Sequence, residues 1–145
     1  VHQACATLAK MIPADGEGAT HLITIDVEGC SNRGEAQQLA RAVADSPLVK
    51  TAIHGADPNW GRIVSAAGYA GIDFHEREVS LWLNGVLLYE NGTPRPFDAE
   101  EVSRELRSLR ETHVRLTFQR GLGRARFWTC DLTAEYVRLN ADYTT

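Results

Sequence analysis

Three observations in this sequence of 145 residues predict a mixed α/β fold. Apolar residues alternate with polar ones over several short runs, as half-buried strands require. Other runs carry apolar residues at helical spacing behind capping residues. The two kinds of segment also intermix without a regular βαβ rhythm, so the expected architecture is mixed sheets with helices packed on the outer faces. One domain spanning residues 1–145 is the expectation at this length, although a piece of a larger core would have the same composition.

Residues 1–12 place Val1, Cys5, Leu8, Ala9 and Ile12 on one helical face, and Pro13 marks the end. A glycine-flanked acidic loop, 14–19, leads to alternation over 20–27, where Ile23, Ile25 and Val27 share one side of a strand closed by Gly29. Ser31 or Asn32 can cap a helix over 32–44 whose stripe is Ala36, Leu39, Ala40 and Val43. The run 48–54 is expected to be a short second strand.

Next comes the corner Asp57-Pro58-Asn59-Trp60-Gly61-Arg62, which compresses turn-forming residues between two regular segments. It feeds a helix with Ile63, Ala66, Ala67 and Ala70 on one side. Trp60 is expected to anchor the packing with Arg62 as its hydrogen-bonding partner, and lining a site is the alternative.

Val79, Leu81 and Leu83 alternate before Asn84-Gly85, the residue pair that a type I′ turn needs, so 79–89 reads as a hairpin. A proline-bearing loop, 91–97, precedes Asp98 and Glu101, which open a helix with the stripe Val102, Leu106 and Leu109. Val114, Leu116 and Phe118 alternate as a strand, 124–132 forms another after the turn at Gly121 and Gly123, and Thr133 can cap a last helix.

The net charge is −4 and the pI about 5.7, which opposes a nucleic-acid or anionic-membrane partner. The charge is uneven: residues 1–100 carry −6 and residues 101–145 carry +2, with arginines interleaved among apolar residues as on solvated faces. Cys5, Cys30 and Cys130 are too widely spaced for a zinc motif, and reduced thiols fit a cytoplasmic location. No apolar run approaches a membrane span. Walker and dinucleotide fingerprints are absent, so no cofactor is expected. His2, His21, His54, His75 and His113 lack metal-ligand spacing and are expected to be surface or packed residues, leaving no metal site. Ser65 has no nucleophile-elbow context.

Three segments carry a resemblance. They are the run 46–52 with Gly55 and the 57–62 corner, the run Asp15-Gly16-Glu17-Gly18-Ala19-Thr20, and the run from Trp128 through Thr133 and Tyr136-Val137 to Asn140-Ala141-Asp142-Tyr143-Thr144-Thr145. In order and spacing they resemble the β chain of the ornithine acetyltransferase family, which moves an acetyl group from acetylornithine to glutamate in arginine biosynthesis. Residues 73–122 carry little of the pattern.

The resemblance implies part of a larger self-processing acyltransferase fold, and places this chain as the C-terminal part of the β chain. The family's nucleophile is a threonine freed by self-cleavage, which forms an acetyl-enzyme in a ping-pong reaction. The amine of Val1 cannot replace that hydroxyl, so the nucleophile, with the oxyanion-hole and lysine positions, is expected upstream. No catalytic residue is therefore expected in this chain, which should be inactive alone. A companion α chain, the upstream part of the β chain and a higher oligomer are the implied partners. Acetylornithine, glutamate and, in some members, acetyl-CoA are the implied substrates.

Glu17, Asn140 and Thr145 match the family's substrate-binding positions. A carboxylate can pair with a substrate ammonium. An amide can donate to a substrate carboxylate, and a terminal threonine offers a hydroxyl and the chain's own carboxylate. Read without the resemblance, the same residues are a solvated loop acid, a helix-end cap and a frayed terminus. Two other functions are compatible with the residues: an amide hydrolase of related architecture, with water as acyl acceptor, and a non-catalytic binding module that lost the nucleophile.

Overall fold

The computed structural model describes the backbone of residues 2–142 and the side chains of residues 3–142. Six strands form one mixed sheet: β1 (Leu22–Cys30), β2 (Ser80–Leu83), β3 (Val86–Glu90), β4 (Thr93–Pro94), β5 (Glu111–Thr117) and β6 (Gly123–Cys130), in the spatial order β4-β3-β2-β5-β1-β6. β1 runs parallel to β5 and antiparallel to β6, with Ile25 opposite Val114 on one side and Phe127 on the other. The mixed α/β expectation is met.

Alternation divides the two faces of this sheet. Ile23, Ile25, Val27, Leu81, Leu83, Val114 and Leu116 enter one buried core. The paired positions between them, Asp26 with Arg115 and Arg126 and Trp82 with Arg115, fall on the opposite face by the period-2 rule. That face is polar: Arg126 grips both oxygens of Asp26 at 2.6 and 2.7 Å, and the Arg115 guanidinium lies 5.1 Å from the centre of the Trp82 ring.

Helix α1 (His2–Ala14) carries Pro13 inside its last turn. Its Leu8, Met11 and Ile12 are exposed. α2 (Arg33–Asp45) starts where the Asn32 side chain accepts from the Glu35 amide, and buries the predicted stripe Ala36, Leu39, Ala40 and Val43. Fully burying a leucine such as Leu39 contributes about 1.5–3 kcal/mol. α5 (Ala99–Ser108) begins at Asp98, whose side chain accepts from the Glu101 amide, and buries Val102 and Leu106. The Asn84-Gly85 turn has φ of 48° and 82°, which is the conformation a type I′ turn demands.

The expected second strand is a helix instead. α3 (Pro47–His54) buries Val49, Ala52 and Ile53 on one side. Ser46 caps it by accepting from the Val49 amide, and Pro47 supplies a pre-set φ at a first-turn position where no amide is needed. These start signals outweigh the β-branched content of Val49, Thr51 and Ile53. The proline-bearing loop also contributes β4, a two-residue pairing of Thr93 and Pro94 with Glu90 and Tyr89.

The corner 57–62 packs and caps. Asn59 accepts from the Arg62 amide to start α4 (Trp60–Gly68), and Trp60 stacks on Tyr89 of β3 with ring centres 5.1 Å apart. Arg62 does not bond Trp60 as expected. Its guanidinium donates to the Leu48 carbonyl at 3.1 Å, which ties α4 back to α3.

Candidate functional site

α6 (Ala134–Ala141) brings two of the three expected site residues together. Thr133 caps it, with Oγ1 accepting from the Tyr136 amide at 3.0 Å and donating to the Gly18 carbonyl at 2.8 Å. The loop 15–20 therefore rests on the first turn of this helix. Gly18 makes the contact possible, since its φ is +69° and a Cβ there would stand 2.8 Å from the Tyr136 nitrogen. The glycine beside Glu17 thus admits the backbone of α6.

One turn further along α6, Asn140 Nδ2 donates to the Tyr136 carbonyl at 2.9 Å and reaches Glu17 Oε2 at 3.4 Å. Both side chains are exposed. Asn140 lies inside α6, whose C-cap is Asp142, so the helix-end cap read for it from residue type alone is not what is observed. Thr145 lies outside the described residues, so the six-residue match from Asn140 onward is described only as far as Asp142.

Beneath this pair lies a buried polar cluster that spacing alone did not reveal. Asp131, at the junction of β6 and α6, accepts from the amides of Thr20 and His21 through Oδ1, both at 2.8 Å. Its Oδ2 faces Thr20 Oγ1 at 2.5 Å, His54 Nδ1 at 3.0 Å and His21 Nδ1 at 3.2 Å. Burial pushes the Asp131 carboxyl up, but the Thr20 hydroxyl, the two amides and His21 outweigh it and hold the group below the ordinary carboxylate range. The contributors come from the start of β1, the end of α3 and the end of β6, which is why no local pattern announced them. The one available sequence signal was the Asp131-Leu132-Thr133 run, where the acid precedes the cap.

This cluster is not a nucleophile triad. In a triad the base stands between hydroxyl and acid. Here the Thr20 hydroxyl meets the carboxylate directly, and both imidazoles meet that same oxygen through Nδ1. Cys30 is also unsuited to attack, because burial, with Glu35 adding to it, pushes its thiol up to about 11. A concavity lined by Ala6, Asp26, Glu28, Arg33, Arg126 and Trp128 opens elsewhere, and neither Glu17 nor Asn140 lines it. Among the described residues, no helix is long and apolar enough to cross a membrane.

The comparisons with known proteins agree on one family. Residues 1–145 match the model of the ArgJ family. The chain is 52% identical over 141 residues to the arginine biosynthesis bifunctional protein ArgJ of Dehalococcoides mccartyi (strain CBDB1), covering 97% of this chain and 35% of that protein. It is 50% identical over 143 residues to the protein of the same name from Rhodopirellula baltica (strain DSM 10527 / NCIMB 13988 / SH1), covering 99% of this chain and 35% of that protein. The chain thus spans about a third of the length of these curated relatives. The crystal structure of the ArgJ protein from Bacillus halodurans superposes with a TM-score of 0.94 at 40% identity, covering 97% of this chain and 66% of that one. The family match includes 73–122, the stretch where the sequence motifs were sparse.

Proposed function

The chain belongs to the ArgJ family, and we propose that it is the C-terminal part of the β chain of a glutamate N-acetyltransferase acting in arginine biosynthesis. The observation that carries this reading is the meeting of Glu17 and Asn140 at 3.4 Å as exposed side chains, two positions that the family resemblance matches to substrate-binding residues. An exposed carboxylate beside an exposed amide suits an amino acid, with Glu17 facing an ammonium and Asn140 a carboxylate or carbonyl. Thr145 would complete this wall with its hydroxyl or terminal carboxylate.

The chemistry is ping-pong acyl transfer. An upstream threonine attacks the acetyl carbonyl of N2-acetylornithine, the amide C–N bond breaks, and ornithine leaves with the proton. The α-amine of glutamate then attacks the threonine ester and takes the acetyl group, restoring the hydroxyl. This chain holds the amino-acid portions of donor and acceptor in place, while the companion α chain and the upstream part of the β chain supply the remaining walls. The Thr20 hydroxyl is held directly by the Asp131 carboxylate and the Cys30 thiol is pushed up by burial, which supports the assignment of the attacking group elsewhere. A cytoplasmic enzyme assembled as a higher oligomer is part of the same reading.

Acetyl transfer from N2-acetylornithine to glutamate tests it, measured for the full-length protein and for residues 1–145 alone. Turnover is expected only from the full-length protein. Turnover by the isolated chain would remove the upstream nucleophile from the account.

A further inference from the structure

The hydrogen bonds around Asp131 leave one atom, His21 Nδ1, short of a donor. His21 Nε2 lies 2.8 Å from the Leu106 carbonyl, which can only accept, so Nε2 carries a proton. In a neutral imidazole, Nδ1 is then a lone pair, and it points at Asp131 Oδ2 across 3.2 Å. Two acceptors face one another inside the protein, where both side chains are nearly inaccessible. Thr20 cannot relieve them both. Its hydroxyl lies 2.5 Å from Asp131 Oδ2 and 2.9 Å from His21 Nδ1, but has one proton to give. His54 Nδ1 converges on the same carboxylate oxygen at 3.0 Å from a partly exposed ring.

We propose that His21 Nδ1, His54 Nδ1 and Asp131 Oδ2 form a binding site for one divalent transition-metal ion of the zinc type. The ligand atoms all lie within 4.8 Å of one another. Bonds of 2.0–2.2 Å at a tetrahedral centre place ligand atoms roughly 3.3–3.6 Å apart, so a small outward movement of the exposed His54 ring opens the required space. Two imidazoles and a carboxylate suit zinc and its neighbours better than calcium or magnesium, which take oxygen ligands.

The surroundings are those of a built metal site. The Leu106 carbonyl fixes the His21 tautomer with Nδ1 free to ligate, and the Thr20 and His21 amides orient Asp131 through its other oxygen. A water takes the fourth position, reached from solvent past His54, while Thr20 Oγ1 donates to the ligating carboxylate. Bound there, the ion joins the start of β1, the end of α3 and the residue two positions before the α6 cap. It thereby braces the loop of Glu17 against the helix of Asn140. The role is structural.

The test uses tag-free full-length protein stripped with a chelator. Zn²⁺ is titrated against a chromophoric competitor, and Co²⁺ is added separately to read its visible absorption. The wild type should take up one ion that His54→Ala and His21→Ala each bind at least tenfold more weakly, with the intense Co²⁺ bands of a tetrahedral site lost in both variants. Circular dichroism of His54→Ala, altered at a partly exposed ring, checks that weakened binding is not unfolding. No stoichiometric uptake by the wild type would overturn the proposal, leaving the cluster as hydrogen-bonded packing alone. Unchanged affinity in a folded His54→Ala variant would overturn it equally.

Discussion

Asn140 Nδ2 lies 3.4 Å from Glu17 Oε2, joining two exposed side chains that are 123 positions apart in the sequence. The contact is long for a hydrogen bond, and each group keeps capacity for another partner. If the carboxylate meets a substrate ammonium, Glu17→Gln in the full-length enzyme should weaken amino-acid binding by about 1.5–3 kcal/mol. Melting temperature should hardly move, because the residue is an exposed loop acid. Steady-state kinetics with both substrates decide it, and unchanged KM and kcat would return Glu17 to the solvated surface.

Gly18 should be more demanding than its size suggests. An alanine there must adopt a left-handed backbone, at about 1–2 kcal/mol, and its methyl would meet the Tyr136 amide. Gly18→Ala is expected to lower the melting temperature and also raise KM for the amino-acid substrates severalfold, since the Glu17 loop must lift from α6. A lower melting temperature with unchanged KM would show that the loop position does not matter to binding.

Acid should weaken the polar face of the sheet. Burial pushes the Asp26 carboxyl up, but hydrogen bonds from Arg126 and His113 outweigh it and hold the group below its ordinary range. A folded pKa below the unfolded one means that this stabilisation is present above the unfolded value, about 3.9, and is lost as pH falls through the folded value. Arg126→Gln should therefore be less stable than wild type at neutral pH, with the gap in melting temperature closing below about pH 4. A gap independent of pH would contradict the pairing.

At the C-terminus, deleting Thr145 or appending a few residues should lower kcat/KM by roughly tenfold or more, about 1.4 kcal/mol of transition-state stabilisation, with little effect on melting. A tagged enzyme as active as the untagged one would leave Asn140 as the terminal segment's contribution.

Local chemistry was legible wherever one segment carried its own signal. Asn84-Gly85 announced the hairpin, and Asn32, Asp98 and Thr133 announced three helix starts, each confirmed by a cap bond. The run 48–54 is a helix where a strand was expected, although Ser46-Pro47, a cap followed by proline, is a start signal in its own right. Strand order was out of reach: β5 lies between β2 and β1 through pairings that no neighbouring residues encode. The same holds for Thr20, His21, His54 and Asp131, which only tertiary structure assembles. Glu17 and Asn140 were identifiable through family motifs, while their contact follows from Thr133 and Gly18 seating the loop on α6.

The central claim is that this chain forms a substrate-binding wall and another segment attacks. Full-length enzyme incubated with isotopically labelled N2-acetylornithine and no glutamate should accumulate the acetyl-enzyme, which peptide mass spectrometry can locate. The account predicts one labelled acetyl group on a threonine upstream of Val1, none within residues 1–145, and its discharge on adding glutamate. A label on any residue of this chain that glutamate then removes would contradict it.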